Sequence, residues 1–128
     1  MRDLDKIFKG LADPTRLRIL GLLLHGELCV CDIQVVLESS QPNVSRHLTY
    51  LKNAGLALDR REGPRSYYRL AHPAGGVNAL LFAFLREAFR KSDEAAEDSR
   101  RLREAIKNGS CSAGAWHPYS ALKERARL

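Results

Sequence analysis

Ser40-Gln41-Pro42-Asn43-Val44-Ser45-Arg46-His47-Leu48-Thr49-Tyr50-Leu51-Lys52-Asn53-Ala54-Gly55 is the stretch whose reading decides the fold. Val44, Leu48 and Leu51 recur at helical spacing and form one apolar stripe. Ser40 or Gln41 supplies an N-cap, Pro42 suits the first turn, and Gly55 supplies a left-handed stop after about Ala54. Asn43, Ser45, Arg46, His47, Thr49, Tyr50 and Lys52 occupy most of the remaining surface. A helix that reads DNA must bury one stripe and offer amides, hydroxyls and cations elsewhere, for base edges and for phosphates. Gln41, Asn43, Ser45, Arg46, His47, Tyr50 and Lys52 are therefore candidate DNA contacts. An ordinary solvated face carries the same residue types, and His47 reads equally as a hydrogen-bonded surface histidine, so the flanking segments must decide.

Upstream, Leu4, Ile7, Phe8 and Leu11 give a first amphipathic helix. Asp13 caps a second, with Pro14 at its first position, which runs to about Leu24 and ends at His25-Gly26. A short third helix spans Asp32 to Leu37, and Glu38-Ser39-Ser40 is the turn into the helix quoted above. Downstream the period changes. Leu56 to Arg61 and Ser66 to Leu70 read as two strands around Glu62-Gly63-Pro64-Arg65, a hairpin with a charged tip. His72-Pro73-Ala74-Gly75-Gly76 is a linker. One long helix is expected from Val77 to Lys107, with a broad apolar stripe in its first half and a largely solvated, charged second half from Arg90 to Arg103. A tail with Cys111, Trp116 and His117 follows Asn108-Gly109.

This order is that of a winged helix-turn-helix, mainly α with a β-hairpin wing. Charge points the same way. Between Gln41 and Leu70 stand six basic residues and two acidic ones, +4 of the chain's net +6, and Arg60, Arg61 and Arg65 cluster on the hairpin, where a wing could straddle a phosphate backbone. The pI near 9.5 also suggests an anionic partner, double-stranded DNA first. The 128 residues, 45% apolar and 28% charged, suit one domain with a small core. No apolar run approaches a membrane span and the N-terminus does not read as a signal peptide, so a cytoplasmic protein with no membrane partner is expected.

The chain's three cysteines fit no disulfide framework. Cys29 and Cys31, in Glu27-Leu28-Cys29-Val30-Cys31-Asp32, stand two apart. Residues so spaced share a side on extended chain but not on a helix, so one ion can hold both sulfurs only at a helix end, on extended chain, or after distortion. A helix N-terminus also favours thiolate, the form that binds soft metals, although the charge of Asp32 opposes it. The alternative is a pair of small buried apolar residues. Cys111, the remaining thiol, either folds back to join them or is an exposed tail cysteine. His25, His72 and His117 are scattered without ligand spacing, which puts zinc second.

Three segments together resemble the ArsR/SmtB family of metal-responsive repressors: Leu11-Ala12-Asp13-Pro14-Thr15-Arg16-Leu17-Arg18-Ile19-Leu20, Glu27 to Asp32, and Ser40 to Leu48. The likeness runs from about Leu4 to Leu70. It implies a homodimer joined through its N- and C-terminal helices that leaves an operator when As(III) or Sb(III) binds, with no organic cofactor and no enzymatic activity. Residues 1–107 would form the DNA-binding and dimerisation domain, and 108–128 a tail carrying Cys111. Cys29 and Cys31 match the family's first two thiolate ligands. The third falls at Gln34, so either Cys111 completes the site or two sulfurs serve a methyl- or aryl-arsenical. Leu85 to Ser99 contains no histidine, and the family's zinc-type site is not carried over. A thiol-based redox-sensing regulator of the same fold is the rival reading. A small thiol enzyme is a more distant one, for want of a phosphate-cradling loop or a C-x-x-C pair.

Overall fold

The computed structural model describes residues 2–72 and 76–109, without the side chain of Arg2. In chain order the elements are α1 (Arg2–Leu11), α2 (Pro14–Leu23), β1 (Leu28–Cys29), α3 (Val30–Leu37), α4 (Gln41–Asn53), β2 (Ala57–Glu62), β3 (Arg65–Leu70), α5 (Val77–Arg90) and α6 (Asp93–Lys107). The linker at 73–75 and the tail from 110 onward, with Cys111, lie outside the described residues.

The caps are those the sequence dictates. The Asp13 carboxylate accepts the Arg16 N–H at 3.0 Å, and the Ser40 hydroxyl accepts that of Asn43 at 3.3 Å. Gly55, at φ +80°, makes the left-handed turn from α4 into the hairpin. α2 carries Arg16 and Arg18 in its first turns but buries Ile19, Leu20, Leu22 and Leu23 at the centre of the core. Ile33 and Val36 of α3, and Val44, Leu48 and Leu51 of α4, close over it. The helix-turn-helix is thus held by burial of short aliphatic stripes, and its outer face is left to polar groups.

Two features depart from the sequence reading. First, the sheet has three strands, in the order β1-β3-β2. Leu28 pairs with Tyr68 and Cys29 with Tyr67, so the segment before α3 is stitched to the wing. Two residues carry too little periodicity to read as a strand, and tertiary pairing alone creates it. Second, the long C-terminal helix is broken. Lys91 ends α5, and the Ser92 hydroxyl accepts the Ala95 N–H at 3.1 Å to start α6. The charged stretch from Arg90 to Arg103 is mostly exposed, as expected, but a narrow buried line runs through it and on into the last turn of α6. Leu102, Ala105 and Ile106 are buried at i, i+3 and i+4, and the buried Asp98 carboxylate accepts two bonds from Arg18 of α2, at 2.9 and 2.8 Å. A stripe so narrow, set among arginines and glutamates, is hidden in composition. Truncating a side chain such as Leu102 would cost about 2–5 kcal/mol.

α5 has two apolar faces. Phe82 and Leu85 enter the core, whereas Leu80 and Phe84 are 76% and 66% exposed, with Val77 beside them on the same side. Phe8 of α1 is likewise exposed. No described helix is long and apolar enough to cross a membrane.

Candidate DNA-reading face and thiol site

α4 presents a continuous polar surface. Gln41 and Arg46 are exposed, and Asn43 and Ser45 are half-buried. Short bonds organise them along the helix: Gln41 Nε2 donates to the Ser45 hydroxyl at 2.7 Å, Asn43 Nδ2 to the Ser39 hydroxyl at 2.9 Å, and Arg46 Nη2 to Asn43 Oδ1 at 3.0 Å. Arg46 therefore stands with its guanidinium oriented by its neighbour and open to solvent. On the hairpin, Arg61 is exposed.

Other candidates from the sequence are engaged inside the molecule. His47 turns back toward α2, its Nδ1 lying 3.3 Å from Arg16 Nη1 and 3.9 Å from Asp13 Oδ1. Tyr50 is exposed but carries the Arg16 guanidinium 4.0 Å above its ring. Lys52 pairs with Asp59 of β2 at 3.0 Å. Arg60 donates to Glu27 at 2.9 and 2.7 Å and to Glu62 at 2.9 Å, and lies 4.6 Å over the Tyr67 ring. Arg65 is half-buried, and its Nη1 is enclosed with no hydrogen-bond partner among the described residues.

Two residues that position the DNA-reading elements escaped the sequence reading. Arg16 donates to the carbonyls of Gly10 (2.8 Å) and Lys9 (3.1 Å), satisfying the end of α1 while it touches His47 and Tyr50 of α4. One guanidinium thus fixes three helices relative to one another, using the fork geometry that a lysine lacks. Glu27 anchors Arg60 and lies 3.8 Å from Arg69, tying β1 to the wing. Their positions beside Asp13 and Cys29 were visible, but their partners in α4 and the wing lie more than thirty residues away.

Cys29 is a free thiol, 1% exposed, and is both the last residue of β1 and the N-cap of α3 in extended conformation (φ −71°, ψ 143°). Cys31 lies in the first turn of α3. The pair therefore straddles a strand-to-helix junction, the arrangement in which residues two apart can converge. The thiolate expectation is corrected for Cys29. Burial pushes its thiol above the usual range, with Asp32 adding to the effect, while the Cys31 N–H and the Arg65 guanidinium pull the other way. At neutral pH this sulfur is a buried thiol whose ionisation the site opposes. Among the described residues, no three His, Cys, Asp or Glu side chains converge to hold a metal ion.

The family model for the bacterial regulatory protein, arsR family, matches residues 13–57. The arsenical resistance operon repressor of Escherichia coli strain K12 is 54% identical over 90 residues, 70% of this chain and 74% of that one. The chain belongs to the arsR family. This ArsR-family chain is also 51% identical over 69 residues to a Staphylococcus aureus protein named as a cadmium resistance transcriptional regulatory protein CadC homolog, spanning 57% of its length. Among solved structures, the homodimeric winged helix-turn-helix DNA-binding domain Mb0332 of Mycobacterium bovis, described as a possible ArsR-family transcriptional regulator, matches with a TM-score of 0.60. It is 37% identical and covers 70% of this chain and 81% of that one. The ArsR-family chain is accordingly a winged helix-turn-helix transcriptional regulator, with relatives and fold of DNA-binding proteins rather than enzymes.

Proposed function

We propose that this ArsR-family regulator is an arsenic-responsive repressor. It binds operator DNA as a homodimer and leaves it when trivalent arsenic or antimony engages Cys29 and Cys31, with Cys111 as third donor. The observation that carries the reading is the position of Cys29 and Cys31 on the hinge between wing and helix-turn-helix. Cys29 is paired to wing strand β3 and also begins α3. A soft ligand gripping both sulfurs alters the junction that sets α3, α4 and the wing relative to each other. The donor set fits: thiols are soft ligands and suit a thiophilic metalloid better than a hard cation.

The DNA-reading side rests on Arg46, Gln41, Asn43 and Ser45 of α4, with Arg61 on the wing. Dimerisation through α1 and α5 is supported by Phe8, Val77, Leu80 and Phe84, large apolar side chains facing solvent in the single chain. The ligand must bind the weak-DNA conformation more tightly than the DNA-bound one, since otherwise no population shifts.

The deciding experiment titrates arsenite, and separately cadmium, into a complex of the protein with fluorescent DNA from upstream of its own gene. Arsenite is expected to release wild-type protein, whereas Cys29→Ser and Cys31→Ser variants bind the DNA and stay on it. Release of Cys29→Ser by arsenite, or release of the wild type by cadmium alone, overturns the assignment.

A further inference from the structure

Two arginines away from the DNA-reading face have no acid to hold them. Outside α4 and the wing, Arg16, Arg18, Arg90, Arg100 and Arg101 each pair with a carboxylate. Arg86 of α5 and Arg103 of α6 have no acidic partner among the described residues, and both line one cavity of about 240 Å³. Arg90 joins them there, held only by an exposed pair with Glu87 at 3.6 Å. No Asp or Glu of the described residues lines this cavity. Its floor is apolar, built from Gly21 and Leu24 of α2 with Phe89, Ala95 and Ala96. Phe89 lies so close on α2 that a Cβ at Gly21 would stand 3.5 Å from its ring. An adjoining cavity of about 380 Å³ shares Gly21, Phe89 and Ala95, but sets Asp13, Glu94 and Asp98 against the single cation Arg18. Charge is thus sorted along the groove, cationic at one end and acidic at the other. The cationic end stays open in a dimer joined through Val77, Leu80 and Phe84. At about 100° per residue, Arg86 lies about 160° around α5 from Phe84.

We propose that this cavity binds a small organic monocarboxylate, with the carboxylate between Arg86 and Arg103 and an apolar body on Leu24, Phe89 and Ala95. Guanidinium forks match a carboxylate in two-bond geometry, and a carboxylate relieves the repulsion between them. The apolar floor selects against a bare inorganic anion, which gains nothing from leaving water for a hydrocarbon surface. The acidic end of the groove fixes the direction of entry, because it repels the same head group. His25 Nε2 lies 2.7 Å from the Ser99 hydroxyl in the wall, so these two side chains are engaged with each other and the arginines carry the recognition. The bound acid bridges α5 and α6 across their break at Lys91 and Ser92. Arg101 of α6 donates to the Val36 carbonyl at the end of α3 at 3.4 Å, so a ligand that braces this break acts on a helix already docked to the helix-turn-helix. No cysteine lines the cavity, and the inference is independent of the arsenic-sensing reading.

The test titrates phenylacetate and octanoate into the full-length protein, followed by calorimetry and by methyl NMR spectra. Their uncharged amides and inorganic phosphate serve as comparisons. Saturable binding of at least one acid is expected, with the methyl signals of Leu24, Ala95 and Ala96 shifting; the tighter acid reports whether the body is a ring or a chain. The matching amide should bind about tenfold more weakly, as loss of a hydrogen bond between charged groups implies. Arg86→Gln with Arg103→Gln should weaken the acid by about tenfold or more. It should leave the unligated Tm in place, since neither arginine has an acidic partner to lose. Ala96→Phe, at an exposed position of α6, fills the cavity and should abolish binding. Cys29→Ser should bind the acid like wild type, whatever arsenite does. The assignment is overturned if neither acid saturates, if acid and amide bind alike, or if the shifted methyls lie elsewhere. Phosphate binding as tightly as the acids overturns it too, by showing a plain anion patch. If the double variant fails to fold, the comparison of acid with amide in wild type still decides.

Discussion

Cys29 stands directly opposite Tyr67 in the β1–β3 ladder, and the Tyr67 ring carries the Arg60 guanidinium 4.6 Å above it. Through that guanidinium the wing reaches Glu27, two residues before Cys29. The candidate sensor and the wing are therefore one structural unit, held by a two-residue strand pairing and one ion-pair network. A pairing so short is weak, so a ligand acting on it needs little energy to open it.

Hydrogen exchange should report this directly. On addition of arsenite, the amides of Leu28, Cys29, Tyr67 and Tyr68 are expected to exchange about tenfold faster, matching a coupling of 1–3 kcal/mol, while those of the core helix α2 keep their protection. Unchanged rates at β1 and β3 in arsenite-saturated protein would mean that the wing is not where the signal travels.

The wing arginines should separate. Arg61 is exposed, and Arg61→Ala is expected to lower the slope of log affinity against log salt by about 1 through loss of one phosphate contact. Arg60 is spent on Glu27 and Glu62. Arg60→Ala should leave that slope in place and lower stability by under about 1 kcal/mol, because the network is partly open to solvent. Binding isotherms across a salt series, with urea melts alongside, distinguish the two.

On α4 the contrast lies between Arg46 and His47. Arg46→Ala should cost about 1–3 kcal/mol against operator DNA and much less against random sequence. His47 bonds inward to Arg16, so His47→Ala should lower stability by about 1 kcal/mol, roughly 3–5 °C in Tm. It should weaken operator and random DNA in the same proportion. Loss of operator preference in His47→Ala would instead return this side chain to the DNA face.

The joint between α2 and α6 gives a pH signature. His25 lies 2.7 Å from the Ser99 hydroxyl, and burial, with the charge of Arg103 adding to it, lowers its pKa below the ordinary 6.5. The unfolded chain therefore takes up a proton at this site before the folded one does. The neutral ring's stability is fully present above pH 6.5 and falls as the pH drops from there toward the folded value. Urea midpoints measured from pH 7.5 to 5 should decline in wild type and decline less in His25→Gln. Parallel curves for the two proteins would place the acid sensitivity elsewhere.

Much of the molecule was written locally. The helix order, the Asp13 and Ser40 caps, the Gly55 stop, the hairpin and the polar face of α4 all follow from residues within one or two turns of each other. Periodicity and capping act over that range, so the sequence alone determined a winged helix-turn-helix and placed Cys29 and Cys31 at its junction. What the tertiary structure decided involves partners far apart in the chain. Arg60 meets Glu27 across 33 residues, His47 meets Arg16 across 31, and Arg18 meets Asp98 across 80. Which cations stay free for phosphate, whether a thiol is buried, and whether a charged helix docks all depend on what the completed fold brings alongside. Burial and pairing are properties of that neighbourhood, and no window of sequence contains it.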